Sequence, residues 1–165
     1  DVTKDSILGR ANEKYERGEI STAQFIESLK KELDLDITDE EVLEGWNKIF
    51  VGENLGIRDN IDRLVSKYPL YIFSNTSISH AEFWRNEYSE LLKHFQKIFT
   101  SFELGMRKPE KESFLEVCSQ MDVLPEKILF FDDTEENIVA ANDLGMNAVK
   151  VDSIQDISET IDILC

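Results

Sequence analysis

Cysteine is nearly absent. Only Cys118 and Cys165 occur in 165 residues, and neither stands in a CxxC or mixed Cys/His pattern. That removes a disulfide framework and a thiolate zinc site, and leaves two reduced thiols in a cytoplasmic protein as the simple reading. Cys118 falls within an apolar helical pattern, where a core residue would stand. Basic residues are also few: 18 Lys and Arg against 34 Asp and Glu give a net charge of −16. Such a surface repels nucleic acid and anionic membranes. It leaves a phosphorylated small molecule open, because local donors and a metal can hold phosphate on an acidic protein. No apolar run approaches membrane-spanning length, and Asp1-Val-Thr-Lys-Asp-Ser6 has no signal-peptide pattern. Internal repeats and low-complexity linkers are missing too.

What is present is a core: 41% of the residues are hydrophobic, enough for one domain with a small appended subdomain. Residues 1 to 53 read as helices only. Ile7, Leu8, Ala11 and Tyr15 recur at helical spacing before Gly18. Ser21 caps a second helix carrying Phe25, Ile26 and Leu29. Thr38 starts a third, with Glu41 three residues on as in a capping box. Val42, Leu43, Trp46, Ile49 and Phe50 form its apolar stripe, and both aromatics are taken as core. From residue 57 helices and strands alternate, which predicts a parallel sheet with helices on both faces. The strands fall at 70–73, 98–100, 128–131 and 147–151. The helices fall at 57–66, 79–95 in two pieces, after Pro109 (with Phe114, Leu115 and Cys118 inward), 134–144 and 154–164.

The stretch from Ile128 to Gly145 organises the chain. An apolar run, Ile128-Leu-Phe-Phe131, has the pattern of a strand buried on both faces. It breaks into Asp132 and Asp133, and a helix follows with Ile138, Ala141 and Leu144 on one face. The two carboxylates therefore sit at the carboxyl end of a parallel strand, where open α/β sheets bind ligands. Mg²⁺ suits them, since it takes one or two carboxylates plus water and substrate phosphate. The plain alternative is that Asp133 or Thr134 only caps the helix. Ser74-Asn75-Thr76 follows an earlier strand, and Lys108 lies in the loop Leu104-Gly-Met-Arg-Lys-Pro109. A hydroxyl and an amide can hold phosphate oxygens, a lysine can offset their charge, and a carboxylate pair can hold Mg²⁺. Singly, Ser74-Asn-Thr reads as a turn, Lys108 as a solvated lysine and Asp133 as a cap. The ordered set of three favours phosphoryl chemistry.

Ser74-Asn75-Thr76, Lys108-Pro109 and Phe131-Asp132-Asp133-Thr-Glu-Glu-Asn137 resemble motifs two, three and four of the haloacid dehalogenase-like (HAD) hydrolase superfamily. Glu16-Arg-Gly-Glu-Ile-Ser21, Phe83-Trp84 with Glu87-Tyr88, and Asn137-Ile-Val-Ala-Ala141 are similar to its bacterial alpha-D-glucose-1-phosphate phosphatase branch. The resemblance implies a Rossmann-like α/β core at 54–165 and a helical cap subdomain at 1–53. It implies a Mg²⁺-dependent phosphatase of small phosphorylated metabolites, sugar phosphates foremost, working through an aspartyl-phosphate intermediate. By matching motifs, Ser74 binds the phosphoryl group with Asn75 assisting, and Lys108 stabilises nucleophile and phosphate. Asp133 and Asp132 serve the metal, and Asn137 anchors the helix or supports the metal ligands. Cap side chains shape the leaving-group pocket.

Motif one, an apolar strand ending in Asp-X-Asp, is missing. Its first Asp is the nucleophile and its second the general acid and base. Asp34-Leu-Asp-Ile-Thr38 fits the letters, but the helical run Phe25–Leu33 precedes it, so it reads as a solvated loop. In the family the missing strand lies between those carrying Ser74 and Asp132. The expectation is a chain shortened by about 30 residues, one βα unit, or one complemented by another chain, with little turnover as it stands. The alternative is a non-catalytic HAD-like module that binds phosphate and metal. A phospho-receiver domain is excluded, because there the acidic pair comes first and the lysine last. A dehalogenase stays open, though the branch resemblance disfavours it.

Overall fold

The computed structural model describes residues 7–164. The expectations for Asp1–Ser6 and Cys165, and for the side chains of Ile7 and Leu8, lie outside the described residues. The chain opens with α1 (Ile7–Glu16), α2 (Thr22–Leu33), α3 (Asp39–Asn47) and α4 (Ile57–Val65), then strand β1 (Tyr71–Ser74). Next come α5 (Ile78–Glu87), α6 (Ser89–Leu92), β2 (Lys97–Thr100), the single turn α7 (Ser101–Leu104) and α8 (Lys111–Met121). A 3-10 turn at Pro125–Lys127 leads into β3 (Leu129–Asp132), α9 (Glu135–Asp143), β4 (Asn147–Lys150) and α10 (Ile154–Leu164). Among the described residues no helix is long and apolar enough to cross a membrane.

Contacts divide the chain into two compact units. The first gathers the residues up to Gly52 with Ser74–Leu92 and Thr100–Arg107; the second holds Glu53–Phe73, Lys93–Phe99 and the chain from Lys108 on. The proposed cap, 1–53, thus clusters with the segments after β1 and after β2.

In the first unit the expected capping box at Thr38 forms, and Ser21 makes a second. Ser21 Oγ accepts from Gln24 N–H while the Gln24 side chain accepts from Ser21 N–H, and Thr38 and Glu41 do the same for α3. Each closes two helix-end donors that would otherwise be open. The core here is Tyr15, Phe25, Ile26, Leu29 and Val42, with Trp46 packed against it. Tyr15 stacks on Phe25 at 4.4 Å and donates its hydroxyl to Ser79 Oγ on α5 at 2.9 Å. The expected α3 stripe ends early: the helix stops at Asn47, and Ile49 is 60% exposed.

In the second unit β3 runs parallel to β4, Leu129 opposite Asn147 and Asp132 opposite Lys150. β1 pairs with β2 in a separate two-stranded sheet. Among the described residues β1 and β3, expected to flank a further strand, do not pair with each other. The run 128–131 was expected to be buried on both faces, yet the residues of β3 other than Asp132, like those of β1, are only half-buried. Among the described residues each pairs with one strand only. What the two sheets share is Phe114 on α8, 1% exposed, which meets Phe73 of β1 edge-on at 5.5 Å and Phe130 of β3 at 5.6 Å. The inner face of α8 is Ser113, Phe114, Val117 and Cys118; Leu115, expected inward, is 42% exposed. Pro109 stands before the helix, whose first turn begins at Lys111. Burial pushes the Cys118 thiol up, as suits a core residue and not a nucleophile.

Candidate active site

Lys108 is no solvated lysine. It is 7% exposed, and its ammonium donates to the Phe73 carbonyl at 2.8 Å and to Asp132 Oδ2 at 2.6 Å. It also lies over the rings of Phe73 and Phe130, at 5.1 and 5.4 Å. A buried lysine survives only when paired, and this one is paired on the ends of both β1 and β3. Asp132 closes the other side. Its Oδ1 accepts from Thr134 N–H at 2.9 Å and from Asn137 Nδ2 at 2.8 Å, so the carboxylate itself fixes the start of α9. Burial pushes the Asp132 carboxyl up. The Lys108 charge and hydrogen bond, with those from Asn137 and the Thr134 N–H, outweigh it and hold the group below its usual range.

Asp133 differs. It is exposed: its Oδ1 lies 3.4 Å from the Thr134 hydroxyl, and its charge acts on Lys150. It is not the cap either: Thr134 takes that position, without a side-chain capping bond. Of the two carboxylates, Asp132 is committed to lysine and helix, while Asp133 keeps open oxygens. Among the described residues no three His, Cys, Asp or Glu side chains gather around one point. One free carboxylate beside a second, partly used one fits Mg²⁺, which keeps waters and substrate oxygens in its shell.

Ser74 and Asn75 belong to the first unit. Ser74 ends β1, and its hydroxyl lies 3.5 Å from the Asn75 carbonyl, too far to commit it. The chain then turns: Ser101 Oγ accepts from Thr76 N–H at 2.9 Å and donates to the Thr76 carbonyl at 3.1 Å. Ser77 caps α5, so a helix N-terminus follows the motif directly, an arrangement that favours anions. Ser74 and Asn75 line a cavity of about 330 Å³ together with Asn12 and Glu16 of α1, Trp46 of α3, and His80 and Trp84 of α5. Sequence reading passed over Asn12, Glu16 and His80 and assigned Trp46 to the core. Glu16 alone gave a hint, as the first residue of the Glu16-Arg-Gly stretch.

His80 is buried, stacked on Trp46 at 4.8 Å and met edge-on by Phe50 at 5.1 Å. Its Nε2 lies 3.0 Å from the Trp46 carbonyl, which can only accept, so Nε2 carries the proton. Burial holds its pKa below the ordinary histidine value, partly offset by that hydrogen bond. A lowered folded pKa means the unfolded chain binds the extra proton first. The neutral ring's contribution is whole above pH about 6.5 and is lost as pH falls through the lower, folded value. Thermal stability should therefore drop between pH 7.5 and 5.5, and the drop should shrink in His80→Gln. Equal drops in melting scans of the two proteins would put the effect elsewhere.

The haloacid dehalogenase-like hydrolase family profile matches residues 6–145. The chain is similar to the D-ribitol-5-phosphate phosphatase of Bacteroides thetaiotaomicron, 26% identical over 157 residues, which cover 92% of this chain and 76% of the relative. A solved HAD family enzyme from Bacteroides thetaiotaomicron superposes with a TM-score of 0.85 at 26% identity, over 93% of this chain and 78% of its own. Its wild-type complex with magnesium and inorganic phosphate gives a TM-score of 0.76 at 27% identity, over 90% and 75% of the two chains. The chain belongs to the haloacid dehalogenase-like hydrolase family.

Proposed function

We propose that this protein is a Mg²⁺-dependent phosphatase of small phosphorylated metabolites, sugar and polyol phosphates foremost, acting through an aspartyl-phosphate. The observation that carries the reading is Lys108, buried and clamped between the Phe73 carbonyl and Asp132. It delivers one positive charge to the strand ends, next in sequence to Ser74 on one side and to Asp133 on the other. Ser74 and Asn75 offer a hydroxyl and an amide to phosphate oxygens, and the α5 N-terminus supplies a favourable field. Asp133, with Asp132 partly, would hold the cation. Bound there, Mg²⁺ would offset charge on the phosphoryl oxygens. The nucleophilic carboxylate is not among the described residues: β3 alone of the four strands ends in Asp, and Lys108 and Asn137 occupy that Asp. The phosphatases among the relatives support the reaction class, and the magnesium and phosphate complex of the structural relative supports the cofactor.

The test is phosphate release from D-ribitol 5-phosphate and hexose phosphates by the natural protein, with and without Mg²⁺. Asp133→Asn should lower kcat by about 10²–10³ while leaving the melting temperature unchanged. Turnover that ignores both Mg²⁺ and this substitution would overturn the reading. Binding of phosphate and Mg²⁺ without any turnover would establish the non-catalytic module instead.

A further inference from the structure

The cavity of the first unit has one charged side chain in its described lining, Glu16, and no lysine or arginine. Its carboxylate is held rather than free: Arg107 Nη2 lies 2.8 Å from Oε2, off the hydrogen-bond direction, while Nη1 reaches Glu13 at 3.2 Å. The guanidinium fixes the position of Glu16 and balances its charge, yet leaves carboxylate lone pairs to accept. Asn12, one helical turn earlier on α1, adds an amide. Opposite in chemistry are the indoles of Trp46 and Trp84, with His80, also in the lining, stacked on Trp46. A volume of about 330 Å³ lies at the small end of ligand sites.

From this lining we infer that the cavity binds the uncharged, polyhydroxylated part of a phosphate monoester, with Glu16 and Asn12 reading its hydroxyls and the tryptophans packing on its carbon chain. Hydroxyl protons donated to a fixed carboxylate make charge-assisted hydrogen bonds. A second phosphate or a carboxylate at that end would face Glu16 with no cation in the lining to receive it. An ammonium group gains little, because Arg107 already balances Glu16. The site thus selects monophosphates of neutral polyols over bisphosphates and phosphorylated acids. The phosphate end alone rests on the phosphatase reading above.

Trp46 and Trp84 are the two tryptophans of the chain and both line the cavity, so intrinsic fluorescence reports its occupancy without turnover. The natural protein with Mg²⁺ is mixed rapidly with D-ribitol 5-phosphate, free ribitol, inorganic phosphate or 3-phosphoglycerate. Ribitol 5-phosphate should bind at least tenfold tighter than inorganic phosphate, and 3-phosphoglycerate no tighter than inorganic phosphate. Glu16→Gln and, separately, Asn12→Ala should each narrow the first gap several-fold; Asn12→Ala leaves the Arg107 pair intact should Glu16→Gln fail to fold. Equal affinity for ribitol 5-phosphate and inorganic phosphate, or tight 3-phosphoglycerate binding, overturns the inference and leaves the phosphatase reading standing. A response to ribitol with none to inorganic phosphate supports the inference and sinks that reading. No response to any probe sinks both.

Discussion

Replacing Lys108 with alanine is expected to lower stability by about 3–5 kcal/mol, the usual consequence of removing one partner from a buried ion pair. The size follows from what stays behind. Asp132 is 9% exposed, and it would keep the Thr134 N–H and Asn137 but lose the Lys108 ammonium, 2.6 Å away. The Phe73 carbonyl would lose its donor as well. At about 2–4 °C per kcal/mol for a domain of this size, the melting temperature should fall by roughly 10 °C. Two controls separate pairing from packing. Asp132→Asn in the Lys108→Ala background removes the stranded charge, so the double variant should be more stable than Lys108→Ala alone. Lys108→Met keeps the bulk between Phe73 and Phe130, so it isolates the charge. If Lys108→Ala costs less than about 1 kcal/mol, water reaches the pair and it behaves as a surface ion pair. In that case Lys108 would also lose its standing as the group that holds charge at the ends of β1 and β3.

The pairing around Lys108 was only partly legible in the sequence. Lys108 and Asp132 could be nominated as members of one ordered set, because each follows or precedes a recognisable element. Their direct contact, across a separation of 24 positions, could not be read from local pattern. Nor could the division of labour between Asp132 and Asp133. Periodicity ended the strand at Phe131, yet Asp132 belongs to it, opposite Lys150 in the register, with its carboxylate held by Lys108 and Asn137. Helix starts at Ser21 and Thr38 were legible because an N-cap is a local code. Edges of helical faces were not: Leu115 continues an apolar stripe but is exposed, since hydrophobic spacing marks a face and not its borders. Trp46 shows the deeper limit. A half-buried aromatic satisfies the pattern of a core and of a cavity wall equally, and only its stacking on His80, 34 residues on, decides for both roles.

Gly18→Ala carries the second large expected effect, because this glycine is both left-handed and pressed against backbone. Its φ is +69°, and a Cβ placed there would meet the Phe102 carbonyl oxygen at 2.8 Å. A side chain with a Cβ in that backbone region costs about 1–2 kcal/mol. Overpacking against an atom that cannot rotate away adds about 1–3 kcal/mol. Gly105 supplies the control within the same unit: its φ is also +69°, but a Cβ there would meet nothing within 4 Å. Gly105→Ala should therefore show the backbone cost alone, and the difference between the two variants measures the contact with Phe102. The consequence should extend beyond stability. Gly18 follows Tyr15 and Glu16 by three and two residues, with its N–H bonded to the Tyr15 carbonyl at 3.1 Å. Pushing this turn off Phe102 shifts the hydroxyl that holds Ser79 and the carboxylate that Arg107 fixes. Gly18→Ala should then weaken ribitol 5-phosphate binding more than inorganic phosphate binding, while Gly105→Ala leaves their ratio alone. Equal melting temperatures for the two variants would show that the chain at Phe102 yields freely. The placement of Glu16 would then owe nothing to the close approach at Gly18.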